Sequence, residues 1–375
     1  MDMIKDLLKK INDICKFKKK YFYPGIKFEC CSNTSKIFEY INEYWHSYDG
    51  NEYNNINYSI NHIEDKNYIL KIKKELKNYH ADDEILIHST GTKMLIYRIY
   101  SVVVFLEVNS ENIIIDYGIN RILVITKEDG QCGSAVLRVI REIILRESEN
   151  QGGLIFHSAA VSYNDKGILI CGEKNSGKTS TVINLLHKKC AFIANDRVIL
   201  MPEEKYYSIY YIPLAIRIGL GTVKNHKDMY QTIKNIKLSR LQSEWKNDSR
   251  ALEIGSRLKI EMTPKELNEI FECTNLVKMR LHSIVIPCFK KNFDKLEIKR
   301  LDMKEAISYL IKACMTPNDE NWVSTWLIKH TESDELLKIK AQSKINSIIN
   351  NYKIYKIDFG ENTEWDDDIL NIIYS

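Results

Sequence analysis

The feature that most constrains this chain is an eight-residue segment that matches the pattern GxxxxGK[ST] at every position. It runs from Gly172 to Thr179 and reads Gly-Glu-Lys-Asn-Ser-Gly-Lys-Thr. An apolar run over 167–171, of the length of a buried strand, directly precedes it, and a helical stretch over 178–186 follows. A strand, a glycine-rich loop and a helix in this order predict an α/β unit with an anion-binding loop at its centre.

Each residue type in this loop has a physical task in binding phosphate. The glycines allow tight turns, the loop N–H groups converge on an anion, and the helix dipole adds positive potential. Lys178 would reach the β- and γ-phosphates of a nucleotide, and the Thr179 hydroxyl would bind Mg²⁺. The pattern therefore predicts ATP and Mg²⁺ as cofactors. The predicted cofactor-binding residues are Gly172, Asn175, Ser176, Gly177, Lys178, Thr179 and Ser180.

Two further side chains are candidates for chemistry beside the loop. Asp196 follows the apolar strand that begins at Ala191, and from there a carboxylate can hold Mg²⁺ or act as a base on an incoming hydroxyl. The alternative for Asp196 is a turn or capping role. His157 follows the apolar run over 152–156, and taken alone a histidine there is more often a hydrogen-bonded core residue than a catalytic one. We predict Lys178, His157 and Asp196 as catalytic residues and Thr179 and Asp196 as metal ligands.

The composition argues against several classes of protein. With 54 basic and 50 acidic residues, the formal net charge of the 375-residue chain is +4, which argues against a dedicated nucleic-acid-binding protein. The nine cysteines include no CxxC pair, which favours free thiols in a reducing cytoplasm over a zinc or disulfide site. Neither a signal peptide nor an apolar stretch of membrane-spanning length is predicted.

The chain length is that of one large or two ordinary domains, and we predict two. Residues 1–133 are expected to form a smaller, β-rich α+β domain in which we expect substrate choice to reside. Residues 134–375 are expected to form a catalytic α/β domain with a mixed sheet, helices and C-terminal additions of helices and strands. The amphipathic stretch over 1–20 predicts a helix that packs on its own domain, with membrane-surface binding as the alternative. Residues 21–83 are expected to form short strands and loops. An antiparallel sheet is predicted from the short runs at 85–88, 93–97, 101–108, 112–117 and 121–126.

The second domain is expected to combine strands with helices. Thr263 and Pro264 are typical of a helix N-cap and first helical position. The acidic run at 366–368 is expected to lie in the first turn of a helix, in preference to a metal cluster. Strands are predicted at 154–161, 167–171, 190–194, 198–201, 281–287 and 352–359, with one or two more at 208–218. Helices are predicted at 134–148, 178–186, 264–271, 302–313, 332–350 and 366–373, with a helix or helix pair at 229–245.

Residues 156–200 resemble the catalytic domain of the HPr kinase/phosphorylase family. The matching parts are Phe-His-Ser-Ala-Ala-Val at 156–161, the phosphate loop, and Ile-Ala-Asn-Asp-Arg-Val at 193–198, in the order and spacing of that family. The stretch at 216–221 is similar to the family's Arg-Gly-x-Gly segment, which suggests Arg217 as a clamp on the transferring phosphoryl group. The resemblance implies a P-loop kinase fold. It extends to HPr kinase-like enzymes of peptide-modification pathways, such as the lasso-peptide precursor kinases.

Two positions depart from the family pattern. Asn195 stands where the family has its first aspartate, so the base that takes the acceptor's proton would have to be Asp196 or His157. Ser180 stands where the family has a glutamate after the loop hydroxyl, so one carboxylate near the metal is missing. Both departures favour a divergent relative with another acceptor over a housekeeping HPr kinase/phosphorylase.

We therefore predict an ATP-dependent kinase that transfers the γ-phosphate to a serine or threonine hydroxyl of a peptide or small protein, with peptide natural-product maturation as one setting. The alternatives are a nucleotide-binding accessory module without transfer, a plain NTPase and a true HPr serine kinase/phosphorylase. The expected partner is the peptide or small-protein substrate, with no nucleic acid and no membrane span, and homo-oligomerisation is left open.

Overall fold

The computed structural model describes residues 2–45, 56–87, 92–108, 110–128, 132–226, 229, 259–317, 326–366 and 368–374. These residues form an α/β protein with mixed sheets and helices. The chain divides into two compact units, Met1–Glu147 with Asn318–Thr331 and Ser148–Pro317 with Glu332–Ser375. The domain boundary expected between residues 133 and 134 stays a prediction. None of the helices in these ranges is long and apolar enough to cross a membrane.

The first unit is built on an eight-stranded sheet with the strand order β1-β2-β3-β8-β7-β6-β5-β4. Strands β4 to β8 pair antiparallel, as expected, whereas β2, β3 and β8 run parallel to one another. Its described elements are α1 (Asp2–Ile14), β1 (Phe17–Tyr23), β2 (Ile26–Ser32), α2 (Lys36–Asn42), β3 (Tyr58–Glu64), α3 (Lys66–Leu76), β4 (Asp83–Ile87), β5 (Thr92–Ile99), β6 (Val102–Glu107), β7 (Ile113–Asp116), β8 (Arg121–Thr126) and α4 (Cys132–Asn150), whose last three residues belong to the second unit.

Two helices, α2 and α3, lie within the region 21–83, where only strands and loops are expected. Helix α3 begins directly after its N-cap residue, Asp65. The Asp65 side chain accepts a hydrogen bond from the Asn67 N–H at 2.7 Å. It buries Ile69, Ile72 and Leu76 on one stripe and carries the chain from β3 to the far edge of the sheet at β4. Because β8 therefore returns beside β3 after a long connection, the two strands can pair parallel.

Helix α1 ends at Ile14, earlier than the predicted span of 1–20, because residues 17–23 form the edge strand β1. Its apolar face is covered by the core of the first unit. Ile4, Leu7 and Ile11 are at most 6% exposed and belong to the same cluster as residues of β3 and β8. This packing favours docking of the amphipathic helix on its own unit over binding to a membrane surface.

A buried histidine joins the ends of three parallel strands in the first unit. His62 of β3 is hydrogen-bonded through Nδ1 to Ser32 Oγ and through Nε2 to Thr126 Oγ1, each at 2.9 Å. Both ring nitrogens are therefore paired with hydroxyl groups. Burial lowers the pKa of His62 from 6.5 to about 4.

We expect the free energy of unfolding to decrease as the pH falls from 6.5 towards 4, the two pKa values of His62. In this window the unfolded chain takes up a proton at His62 that the folded chain does not, so acid favours unfolding. One such histidine contributes at most about 3 kcal/mol. Urea titrations at about pH 7 and about pH 4.5 measure the effect. The variant His62→Gln, which keeps hydrogen-bonding groups, should depend less on pH, and an unchanged dependence would contradict the assignment.

The second unit contains the glycine-rich segment. Its described elements are β9 (Leu154–Phe156), β10 (Ser158–Tyr163), β11 (Lys166–Cys171), α5 (Lys178–His187), β12 (Ala191–Ala194), β13 (Val198–Pro202), β14 (Tyr207–Tyr210), β15 (Ile216–Gly219), α6 (Leu220–Asn225), β16 (Lys259–Met262), α7 (Pro264–Phe271), β17 (Lys278–Phe289), β18 (Glu297–Arg300), α8 (Met303–Ala313), α9 (Asp334–Asn351), β19 (Lys353–Phe359) and α10 (Asp368–Tyr374).

The main sheet of this unit has the order β12-β10-β11-β17-β14-β13-β9, and β19 joins it beside β17, with β18 on the outside. Strands β11, β17 and β19 are parallel, so their carboxyl ends lie along one edge of the sheet. In α/β sheets this edge is where ligands bind. Strands β15 and β16 form a separate antiparallel ribbon.

The apolar run at 154–161, expected as one strand, is two strands with different partners. β9 pairs with β13, whereas β10 pairs with β11 and β12. His157 stands at the break between β9 and β10. The chain changes partners there, so the backbone must leave the regular strand path at this histidine.

Two helix starts are capped by side chains, the first of them as expected. Thr263 Oγ1 accepts from the Glu266 N–H at 3.1 Å and Glu266 Oε2 accepts from the Thr263 N–H at 2.7 Å, which forms a capping box in front of Pro264. Asp366 Oδ1 accepts from the Ile369 N–H at 3.3 Å, so Asp366 caps α10 from a position before Asp368, where the helix begins, whereas the sequence predicts it in the first turn. The helix predicted over 229–245 lies outside the described residues, apart from residue 229.

Candidate functional site

The glycine-rich segment forms the loop between β11 and α5, as the pattern predicts. Asn175 and Gly177 have left-handed backbone, with φ of 65° and 99°. A Cβ on Gly177 would lie 2.6 Å from Phe359 Cζ, so both the backbone and the packing require glycine there. The Phe289 N–H donates to the Ser176 carbonyl at 3.0 Å and fastens the loop to the end of β17.

The loop and the first turn of α5 present positive potential. Gly177 is the N-cap residue of α5 and supplies no side-chain acceptor to the N–H groups of the first turn. Lys178 folds over the loop, and its Nζ donates to the carbonyl oxygens of Gly172 at 2.8 Å and Glu173 at 2.9 Å. Burial lowers the pKa of the Lys178 ammonium. The Ser176 hydroxyl is buried and has no hydrogen-bond partner among the described residues. Together these groups fit a bound phosphate chain.

Strand pairing brings His157 and Asp196 together. β10 and β12 are antiparallel with Ala160 opposite Ala194, so the residues just before β10 and just after β12 meet. His157 Nε2 lies 3.5 Å from Asp196 Oδ1. Asp196 has a φ of 69°, in the left-handed region that aspartate tolerates better than most residues. The His157 N–H donates to the Ala313 carbonyl at 2.8 Å, which holds the backbone at the break.

Arg197, which is not among the predicted site residues, holds Asp196 in place. The Arg197 side chain is only 2% exposed. Its Nη1 donates to the Asp196 carbonyl at 2.7 Å and to Asp196 Oδ2 at 3.0 Å. The buried guanidinium therefore orients the carboxylate and leaves Oδ1 directed at His157. The sequence feature that could have identified Arg197 is the Asp-Arg-Val run at 196–198, which lies in the segment compared with the kinase family.

Thr179 and Asp196 are the residues that could hold Mg²⁺ beside a nucleotide. Throughout the described ranges, no group of three or more His, Cys, Asp or Glu side chains could hold a metal ion. Mg²⁺ commonly binds one or two carboxylates together with substrate phosphates and keeps several waters, so a single carboxylate and a hydroxyl fit it. Burial is the main cause of the lowered pKa of Lys178, and the negative charge of Asp196 raises that pKa in part. The Asp196 carboxylate is therefore close enough to the loop to interact electrostatically with Lys178.

Two other predicted residues have partners outside the loop. Ser180 Oγ lies 3.0 Å from Thr222 Oγ1 of α6, so the Ser180 hydroxyl is hydrogen-bonded to α6. Its backbone N–H is the group that could bind a phosphate. Arg217 of β15 has a side chain that is 60% exposed, and its Nε donates to Glu261 Oε1 at 2.5 Å. A clamp on a phosphoryl group would require Arg217 to leave Glu261, and that role stays a prediction.

Comparison with known proteins finds distant similarity among solved structures only. No protein-family model matches the chain, and no curated protein matches it. Among solved structures, it is similar to the Hpr(Ser) kinase/phosphatase from Coxiella burnetii, with 12% sequence identity and a TM-score of 0.21. The match covers 37% of this chain and 60% of that protein, so it spans about three-fifths of the relative's length.

Proposed function

We propose that this protein is an ATP-dependent phosphotransferase that phosphorylates a hydroxyl group. The observation that supports the proposal is the pairing of a phosphate loop with a histidine–carboxylate pair. His157 Nε2 lies 3.5 Å from Asp196 Oδ1, and the charge of Asp196 acts on Lys178 of the loop. A phosphate loop alone would serve nucleotide binding, whereas a carboxylate and an imidazole beside it can also take up a proton.

In this proposal the loop and α5 bind and orient the nucleotide. Lys178 exchanges the carbonyl oxygens of Gly172 and Glu173 for oxygens of the β- and γ-phosphates. The Thr179 hydroxyl and the Asp196 carboxylate would hold Mg²⁺ directly or through water. ATP would supply the phosphoryl group, and the metal ion would supply positive charge beside it. The first-turn N–H groups of α5 add their dipoles at the same place.

The acceptor class follows from the resemblance, and we propose a serine or threonine hydroxyl of a peptide or small protein, including precursors of peptide natural products. The acceptor oxygen forms a bond to the γ-phosphorus while the bond from that phosphorus to the bridging oxygen of ADP breaks. The hydroxyl proton passes to Asp196 or to His157 Nε2. Asn195 has an amide side chain, which cannot take that proton.

A nucleotide-binding module without phosphoryl transfer is the second candidate. The observation that favours it is Asn195, which is 7% exposed and stands next to Asp196 without adding a second carboxylate. Such a module would bind ATP and organise a partner enzyme. A plain NTPase differs from both because it would release phosphate without any acceptor.

The proposal is tested by incubating the full chain with γ-labelled ATP, Mg²⁺ and a set of serine- and threonine-containing peptides. We expect label on a peptide hydroxyl, located by mass spectrometry, and little phosphate release when peptides are omitted. Binding of ATP without any labelled acceptor would favour the module. Rapid phosphate release at the same rate with and without peptides would favour the NTPase. Each of these two results would overturn the kinase assignment.

A further inference from the structure

The ribbon of β15 and β16 has one buried and one outer face. Arg217 is opposite Glu261 and Gly219 is opposite Lys259. Because side chains alternate along a strand, these four residues share one face. The other face is apolar and belongs to the core cluster that also contains residues of α5. Its residues are Ile216, Ile218, Ile260 and Met262, each at most 2% exposed.

One end of this ribbon borders the phosphate loop. Helix α6 follows Gly219 directly, and Thr222 of α6 is hydrogen-bonded to Ser180 in the first turn of α5 at 3.0 Å. Lys259 stands opposite Gly219. The ribbon end with Gly219 and Lys259 is therefore tied through α6 to the first turn of α5, which begins at the phosphate loop.

Gly219 leaves open space on the outer face. A Cβ built on this residue would have no atom of the described residues within 4 Å. Its φ of −64° and ψ of 137° are ordinary extended values, which any residue adopts. Gly172 and Gly177 differ in this respect, because a Cβ on either would collide with a neighbouring side chain. Among the residues that the structure describes, neither backbone conformation nor packing explains glycine at position 219, whereas close approach of a ligand backbone would.

The charge of this face is positive at the end nearest the loop. Arg217 is neutralised by Glu261, since its Nε lies 2.5 Å from Oε1. Lys259 is exposed, and within the described part of the chain no carboxylate forms a salt bridge with it. An exposed ammonium beside open space favours an acidic group on whatever occupies that space.

We propose that the outer face of the β15–β16 ribbon is the docking surface for the acceptor, and that the acceptor is a peptide with an acidic residue near its reactive hydroxyl. The peptide backbone crosses the ribbon at Gly219, and the acidic side chain pairs with Lys259. This inference rests on the proposed function, because it assigns a substrate class and a binding surface to the same site.

The test measures peptide binding separately from phosphoryl transfer. The probes are fluorescently labelled nine-residue peptides with a central serine and one Asp, Ala or Lys scanned through the flanking positions. Binding is followed by anisotropy with the full chain, Mg²⁺ and a non-hydrolysable ATP analogue. We expect the best Asp peptide to bind about threefold to tenfold more tightly than its Lys counterpart, the range for one partly exposed ion pair in a peptide site.

A matched pair of variants at Gly219 tests the open space. Gly219→Leu fills it and should weaken binding of the best Asp peptide about tenfold or more, because the backbone can no longer approach. Gly219→Ser adds a small side chain that is also favourable at an N-cap and should bind the peptide within about twofold of wild type. Both variants should bind the ATP analogue as wild type does. Equal peptide binding by the Leu and Ser variants would overturn the docking surface.

A charge exchange at Lys259 tests the acidic preference. Lys259→Glu should weaken binding of the Asp peptide and strengthen binding of the Lys peptide, so that the order of the two affinities reverses. A preference that stays the same in this variant would overturn the role of Lys259. The two proposals fail differently. If the Asp peptide binds preferentially but no peptide is labelled, the kinase assignment is contradicted and the docking surface stands. If a peptide is labelled but acidic peptides bind no better than the others, the docking surface is contradicted and the kinase assignment stands.

Discussion

Replacing Lys178 with alanine is expected to lower the rate of nucleotide turnover about a thousandfold or more and leave the fold intact. The Lys178 ammonium is held over the loop by the carbonyl oxygens of Gly172 and Glu173 and is largely withdrawn from water. Positive charge in such a place stabilises the developing charge of a transferring phosphoryl group by about 4 kcal/mol. Steady-state ADP production measures the loss.

The control for this variant is Lys174→Ala, which removes an exposed lysine from the same loop and should retain most of the turnover. Thermal melting should show that Lys178→Ala is at least as stable as wild type. Burial lowers the pKa of Lys178, so the charged side chain costs the folded state free energy. Near-normal turnover in Lys178→Ala would remove the basis of the nucleotide assignment.

Replacing Asp196 with asparagine is expected to reduce phosphoryl transfer about a hundredfold to a thousandfold while changing ATP affinity only a few-fold. The substitution keeps the shape of the side chain and the left-handed backbone, with its φ of 69°, which asparagine tolerates as well as aspartate. It removes the carboxylate that faces His157 Nε2 at 3.5 Å and hence the proton acceptor. Transfer is measured with labelled ATP, and affinity by titration calorimetry.

The matched control is Asp165→Asn, the same substitution at an exposed turn residue with a φ of 58°. It should leave both transfer and affinity unchanged. Equal loss of transfer and of Mg²⁺-dependent ATP binding in Asp196→Asn would make Asp196 a metal ligand only. Normal transfer would remove Asp196 from the mechanism, and the remaining candidate base would be His157.

Several local features could be predicted from the sequence because their causes lie within a few residues. The strand, loop and helix around Gly172–Thr179 are present as expected. Thr263 and Pro264 predict the start of α7, where the capping box forms within four residues. Helices α2 and α3 were missed, since the surrounding region rich in Tyr and Asn shows weak periodicity. The N-cap Asp65 and the stripe of Ile69, Ile72 and Leu76 are the signals that could have found α3.

The order of the strands could not be predicted in the same way. The run at 154–161 looks continuous in sequence, yet it divides at His157 because β9 and β10 pair with different strands. The parallel pairing of β3 with β8 likewise depends on strands that are distant in the chain. Pairing between distant strands is set by burial over the whole sheet, which no short window of sequence contains.

By itself, the sequence of this protein determined the phosphate loop, because that loop depends on glycine backbone freedom, one lysine and the helix that starts beside it. The tertiary structure decided what surrounds the loop. Antiparallel pairing of β10 with β12 brings His157 to Asp196, the buried Arg197 orients that carboxylate, and the β15–β16 ribbon sets Lys259 opposite the open Gly219. These residues are far apart in the chain, and they meet only because the apolar faces of their strands must be buried together.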